Sequence, residues 1–230
     1  MTLSVDPVLT LPPVPELSLG PLVFEWCQEY VRQPDGPDAG ERWQFTPEQI
    51  RFLHFLYAVD DRGRFLWSRS VLRRAKGWGK SPLMAALALA ELCGPVRFDG
   101  FNSAGDPVGV PASLPWVQIA GVSEKQTNNT MSMVLAMIAE SPIVDDYGLD
   151  PGLTRVFTAG GGKLEPITAS ASTAEGARPT FCVLDETHHW VQANGGHKLA
   201  EVIRRNLGKS RDGAARSVET TNAHEMGIES

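Results

Sequence analysis

The sequence is short of cysteine, of long apolar runs and of positive charge. Its three cysteines, Cys27, Cys93 and Cys182, are far apart and form no CxxC pair. That excludes a disulfide framework and a cysteine-based zinc site, and it suits buried thiols in a reducing compartment. No stretch approaches the roughly 18 consecutive apolar residues of a membrane span. The first residues, MTLSVDPVLT, lack a basic start followed by an apolar run, so no secretory signal is expected. Lysine and arginine total 21 against 27 acids, a net charge of −6. Residues 1–61 hold ten acids and three bases, a net of −7, which leaves the rest at +1. The charge balance therefore argues neither for nor against a nucleic-acid partner. No internal repeat is present. With 42% hydrophobic and 21% charged residues, a wholly disordered, collagen-like or coiled-coil chain is excluded. The 230 residues suit one domain, or one domain with an extension.

Seven of the 17 prolines fall in the first 37 residues. Residues 1–42 are expected to form an acidic, Pro-rich arm with one short helix, Leu22 to Val31. The domain proper is expected over 43–230. Thr46-Pro47-Glu48-Gln49 is a capping box with proline at the first helical position. Phe65 to Arg73 alternates like a strand. A polar loop follows, then the helix-forming run LMAALALAELC, which stops at Gly94-Pro95. Residues 94–113 read as a long loop. Trp116 to Ala120 suits a strand, and Ser123 opens a helix that ends before Ser141-Pro142. Thr154 to Ala159 and Lys163 to Thr168 flank three glycines and predict a hairpin. Phe181 to Leu184 and Ser217 to Thr221 are short strands, with a helix from His197 to Leu207 between them. Strands alternating with helices predict an α/β fold around a mainly parallel sheet.

The chemistry is concentrated in three segments. The first is Arg73-Arg74-Ala75-Lys76-Gly77-Trp78-Gly79-Lys80-Ser81, a loop between a strand and a helix that ends Gly-Lys-Ser. Backbone N–H groups and a helix N-terminus there can face phosphates. Gly79 permits close approach, Lys80 neutralises charge, and Ser81 offers a hydroxyl to Mg²⁺. The full phosphate-loop pattern wants glycine where Arg74 stands. The second is Phe181-Cys182-Val183-Leu184-Asp185-Glu186, an apolar strand ending in two acids. Beside a phosphate loop, the Asp binds Mg²⁺ and the Glu activates water. The third is Thr220-Thr221-Asn222-Ala223, after the last strand. His188, His189 and His197 near Cys182 match no zinc spacing. Trp78 has no account in the sequence alone. Between Arg204 and Arg216 a local excess of four positive charges could meet DNA phosphates or a neighbouring subunit.

The strings RRAKGWGKSP, CVLDETHHW and TTNA together resemble the ATPase domain of a tailed-phage terminase large subunit. The likeness covers roughly residues 43–227, in order. It implies an additional-strand, catalytic-glutamate P-loop NTPase that hydrolyses ATP with Mg²⁺. A loop that lacks the first glycine but carries an internal basic residue is a habit of that family. The resemblance assigns Gly77, Gly79, Lys80 and Ser81 to the phosphate loop (the Walker A element). Lys76 becomes the in-loop base on the γ-phosphate. Asp185 and Glu186 become the Mg²⁺ aspartate and the catalytic glutamate (Walker B). Thr221 and Asn222 fall in a coupling motif. Gln49 resembles the glutamine that reads adenine, as well as being a capping-box residue. A neighbour's arginine is expected to complete the site, with Arg178 the first candidate and Arg155 the second.

The resemblance further implies a homo-oligomeric ring in the host cell cytoplasm. It would drive double-stranded DNA, without sequence preference, into a procapsid, working with the portal and the small terminase subunit. Such subunits normally continue into a nuclease domain, which is expected to be absent here. The alternatives are a helicase-like P-loop motor and a nucleotide-binding ring-assembly module without turnover.

Overall fold

The computed structural model describes residues 11–169 and 176–222. Six α-helices and nine strands follow in the order α1 (Gly20–Tyr30), α2 (Pro47–Leu56), β1 (Arg69–Arg73), α3 (Lys80–Cys93), β2 (Arg97–Phe101), β3 (Pro107–Val110), β4 (Trp116–Gly121), α4 (Glu124–Ile138), α5 (Ile143–Asp146), β5 (Leu149–Pro151), β6 (Val156–Thr158), β7 (Lys163–Thr168), β8 (Phe181–Leu184), α6 (Gly196–Leu207) and β9 (Arg216–Thr221). Seven strands form one sheet in the order β1-β9-β8-β4-β7-β6-β5. The first five are parallel. β5 and β6 close one edge in antiparallel pairing. This is the mainly parallel α/β sheet that the sequence predicts, hairpin included.

Connectivity explains where the polar residues converge. Strand β9, last in the chain, inserts between β1 and β8, so it pairs Arg73 with Thr221 on one side and Leu184 with Glu219 on the other. Parallel strands share a carboxyl end, and the chain leaves β1, β8 and β9 there in three loops. The loop after β1, the Asp185–Glu186 turn after β8 and Asn222 after β9 therefore meet.

Helix α3 is apolar on nearly every side, Glu91 being the buried exception, and Leu83 to Ala90 are fully buried. Such a helix has no solvent face and must be covered on every side. It lies against α1, α4 and the strands β4, β7 and β8. Its N-terminus is thereby fixed at the carboxyl end of the sheet.

Three segments differ from expectation. Within the segment read as an arm, α1 buries Val23, Trp26 and Cys27 in the main core. Trp26 Nε1 donates to Tyr147 Oη at 2.8 Å. The proline count concealed an apolar face large enough to dock. Residues 94–113 contain the hairpin β2–β3 rather than a loop alone. Phe98 and Phe101 stack edge to face at 5.0 Å. Asn102 Oδ1 accepts the N–H groups of Ala104 and Asp106, each at 2.9 Å, which turns the chain. Strand β1 begins only at Arg69, because Phe65 is held instead over the Arg216 guanidinium, 3.6 Å from it.

Arg216, first residue of β9, is fully buried. Its guanidinium donates to Glu91 on α3 at 2.6 Å and to the Leu56 carbonyl at the end of α2 at 2.5 Å. The basic run from Arg204 to Arg216 is thus not one surface, since its last member is a core residue. The three thiols are also buried, and burial raises all of them, Cys93 to about 12. Replacing Glu91 with Gln strands the buried guanidinium. Urea unfolding should show a loss of about 3–5 kcal/mol; a loss under about 1 kcal/mol would mean that the pair is not the anchor described.

Candidate nucleotide site

The loop between β1 and α3 is built around two left-handed glycines. Gly77 has φ 81° and Gly79 has φ 91°, values that side-chain-bearing residues adopt at a cost. At Gly79 space is not the constraint, since an added methyl would lie 3.8 Å from Gln49 Nε2. The backbone conformation demands glycine, and it delivers the chain into α3. Among the described residues, nothing accepts a hydrogen bond from the backbone N–H of Lys76, Gly77 or Gly79. Together with the α3 N-terminus, these groups make an anion cradle.

Lys80 begins α3 and is 8% exposed. Its ammonium donates to the carbonyls of Arg74 and Ala75, at 2.9 and 3.0 Å, and to Asn222 Oδ1 at 2.8 Å. Burial lowers its pKa from the ordinary lysine value; Glu186 and Asp185, close by, oppose that shift. Ser81 follows on the first turn of α3, half-buried. Lys76 is exposed on the loop.

Arg74 occupies the position of the missing glycine and faces away from the cradle. Its guanidinium pairs with Glu48 on the first turn of α2 and sits 5.6 Å over the Trp78 ring. Trp78 Nε1 donates to the other Glu48 oxygen at 2.9 Å. These hydrogen bonds hold the Glu48 carboxyl below the usual range. Trp78 is therefore a staple joining the loop to α2. The same turn of α2 carries Gln49, whose side chain and that of Thr46 cap each other's backbone N–H at 3.0 and 3.2 Å. Gln49 is buried against the loop with its Oε1 in the cap.

Asp185 is 2% exposed. Its two oxygens accept from Thr130 Oγ1 at 2.7 Å and Thr220 Oγ1 at 2.8 Å. Burial pushes the carboxyl up, and the two hydroxyls pull it back. A carboxylate offers about four lone-pair sites, so each oxygen keeps one for a divalent cation. The donor set thus fits Mg²⁺. Glu186 sits in the left-handed region at φ 51° and ψ 52°. Such a non-glycine conformation costs of order 1 kcal/mol and persists where surroundings enforce it. Here the enforcing contact is its own N–H, bonded to Thr220 Oγ1 at 2.9 Å. A 3₁₀ turn, Thr187–His189, follows and brings the side chains of His188 and His189 within 4.8 Å of the Glu186 carboxylate.

The structure thus gathers Gln49, Lys76, Gly77, Gly79, Lys80, Ser81, Asp185, Glu186 and Asn222 at one edge of the sheet. Thr221 lies beside them, but its neighbour Thr220 is the one that meets the acids. Successive strand residues face opposite ways. Arg178 is not brought to the loop. It precedes β8, whose four residues alone span about 13 Å before Asp185. There it lines a cavity of about 550 Å³ with Arg62, Arg64, Arg97 and Lys209. Arg155 also lies elsewhere, paired with Glu165 at 3.2 Å. Sequence reasoning missed Thr130 and Glu48. Thr130 leaves only a faint signal, a polar residue on the buried side of α4. Ala223, last of the quoted motif, lies outside the described residues.

A glycine-rich loop after β1, acids after β8 and β9 inserted between them define a P-loop NTPase fold of the additional-strand class. No family model matches the chain. In sequence it is 41% identical over 239 residues to the Gene 13 protein of Mycobacterium phage L5, and 40% identical over 240 residues to that of Mycobacterium phage D29. Each alignment takes in 94% of this chain and 40% of the relative, so the chain spans well under half of their length. In structure it matches the HK97 bacteriophage large terminase with a TM-score of 0.65 at 15% identity, covering 89% of this chain and 38% of that one. The large-terminase resemblance read from the sequence holds at the level of the fold. No helix among the described residues is long and apolar enough to cross a membrane.

Two substitutions check this geometry. Thr220→Val removes a buried hydroxyl that serves Asp185 and Glu186 together, and should cost roughly 1–3 kcal/mol in urea unfolding; an unchanged midpoint would refute the network. Glu48→Ala breaks an exposed contact worth under about 1 kcal/mol. It should leave stability nearly unchanged while shifting Trp78 fluorescence. Unaltered emission would mean that Trp78 is not held there.

Proposed function

We propose that this chain is the ATP-hydrolysing motor module of a phage terminase large subunit. The observation that carries the reading is the meeting of Lys80, Asp185 and Glu186 at the carboxyl ends of β1 and β8, beside a loop of unbonded N–H groups. In this reading the loop from Lys76 to Ser81 holds the ATP phosphates. Lys80 neutralises the β- and γ-phosphates, and Lys76 reaches the γ-phosphate from outside. Ser81 and Asp185 would hold Mg²⁺, which supplies charge neutralisation on the phosphate oxygens when bound. Glu186 takes a proton from water as the water oxygen attacks the γ-phosphorus, and ADP leaves. Gln49 lies on the loop's α2 side, where its free Nε2 can donate to adenine.

Arg178 serves only a neighbour in this scheme, because it stands at the far end of β8 from its own Lys80. Arg155 is the second choice. A homo-oligomeric ring would complete each site, and Thr221 and Asn222 would couple phosphate state to movement. The partners proposed are double-stranded DNA, the portal of the procapsid and a small terminase subunit.

Phosphate release from ATP and Mg²⁺, followed across a wide protein concentration range, tests the reading. Wild-type turnover should rise faster than linearly with protein. Lys80→Ala should lose nucleotide binding, whereas Glu186→Gln should bind and fall at least 100-fold in rate, the low end for a lost general base. Equal turnover in Glu186→Gln and wild type would refute the base assignment. Failure of the wild type to bind nucleotide at all would refute the site.

A further inference from the structure

His188 lies within the CVLDETHHW string but has no role assigned above, and it touches the end of β9. Its Nδ1 lies 3.3 Å from the Asn222 backbone N–H, and its Nε2 lies 2.9 Å from Asn222 Nδ2. Asn222 Oδ1 in turn accepts from Lys80 Nζ at 2.8 Å. Lys80, Asn222 and His188 thus form one chain of contacts from the phosphate loop to the turn that carries Glu186.

The donor inventory fixes the direction of that chain. An ammonium has only donors, so the Asn222 oxygen must face Lys80 and its NH₂ must face His188. The ring nitrogen facing that NH₂, Nε2, must then be bare, so the neutral ring carries its single proton on Nδ1, and the 3.3 Å approach of Nδ1 to the Asn222 backbone N–H is a contact and not a hydrogen bond. The groups facing the ring are His189, Glu186, Lys80 and Asp185; burial, first of all, keeps it below the ordinary histidine value. Lys80 already spends its three donors on Arg74, Ala75 and Asn222. To bind a phosphate oxygen it must exchange one of them. The two carbonyls belong to its own loop, so Asn222 is the partner that a side-chain movement can release.

We propose that His188 is a positioning residue: it holds the Asn222 amide, so that the exchange of Lys80 from Asn222 to phosphate is transmitted to the turn bearing Glu186. This rests on the nucleotide-site reading above and adds the path by which the site senses its own occupancy. Without His188 the amide is free to follow Lys80 or to rotate away, and the turn receives no signal. Glutamine can replace the acceptor with its carbonyl oxygen; alanine cannot.

The test uses the full chain and the variants His188→Ala, His188→Gln, Asn222→Ala and the double alanine variant, each checked for folding by thermal melting. Binding of ADP and of a non-hydrolysable ATP analogue with Mg²⁺ is measured first, then kcat and KM. His188→Ala should keep ADP affinity within about threefold and KM near wild type, while kcat falls about tenfold or more. His188→Gln should recover most of that loss. The double variant should be no slower than the slower single one, because both remove the same link.

Imidazole ¹⁵N spectra give a readout independent of turnover. His188 should show a neutral ring that shifts when the ATP analogue binds, and the shift should vanish in Asn222→Ala. Rates that multiply in the double variant would overturn the proposal. So would a His188 resonance indifferent to bound nucleotide, or no rescue by glutamine. A wild type that binds the analogue but does not hydrolyse it refutes the ATPase reading alone, and the spectra still decide the link. No binding at all overturns both.

Discussion

A fully buried guanidinium must find its partners inside the protein, and Arg216 finds them on three elements at once. Glu91 fixes α3 to it, the Leu56 carbonyl fixes the end of α2, and the rings of Phe65 and Phe181 lie within 3.6 and 5.8 Å of its charge. A buried ion pair contributes little net stability, because desolvation offsets its attraction. What it does contribute is register: an arrangement that misplaced β9 would strand the guanidinium in the core, while Glu91 would keep only Arg97. Since β9 is the strand inserted between β1 and β8, its register decides where Thr220 and Asn222 emerge. The carboxyl end of these strands is thus set from their opposite end.

At that edge, hydroxyls do the positioning that metals and ligands do in other sites. Thr130 and Thr220 hold the Asp185 oxygens, and Thr220 also pins the Glu186 backbone in its left-handed conformation. One oxygen atom therefore ties the β9 end to two acids. The strain at Glu186 is small but local, and its carboxylate lies within 4.8 Å of the His188 and His189 side chains. Lys80, held by three acceptors, is the buried cation of this set.

The basic loop residues divide by role in a way that their spacing did not show. Arg74 and Trp78 are spent on Glu48, which joins the loop to α2. Lys76 stays exposed, and Lys80 turns inward. The stapling of the loop to α2 explains why it carries a bulky Trp and Arg where a glycine-rich turn would be expected. Those side chains lie on the outer side of the loop, leaving the backbone N–H groups of the inner side uncovered.

Much of the fold was legible in the residues. Capping signals marked α2 and α4, the mostly apolar run marked α3, and glycines marked the hairpin and the loop before α3. These are local effects: a side chain bonding a backbone three residues away, or a φ that only glycine adopts readily. The strand order was not legible, because any of several orders buries the same short apolar runs. The docking of α1 was hidden for a related reason, since its apolar face has meaning only against α2 and α3. Likewise the choice of Thr220 over Thr221, the pairing of Thr130 with Asp185, the burial of Arg216 and the distance of Arg178 from its own loop depend on contacts between residues far apart in the chain. The sequence by itself determined which side chains carry the charges and hydroxyls of the candidate site. Only the tertiary structure decided which of them meet, because hydrogen bonds and ion pairs act over about 3 Å, and the fold alone sets distances that short.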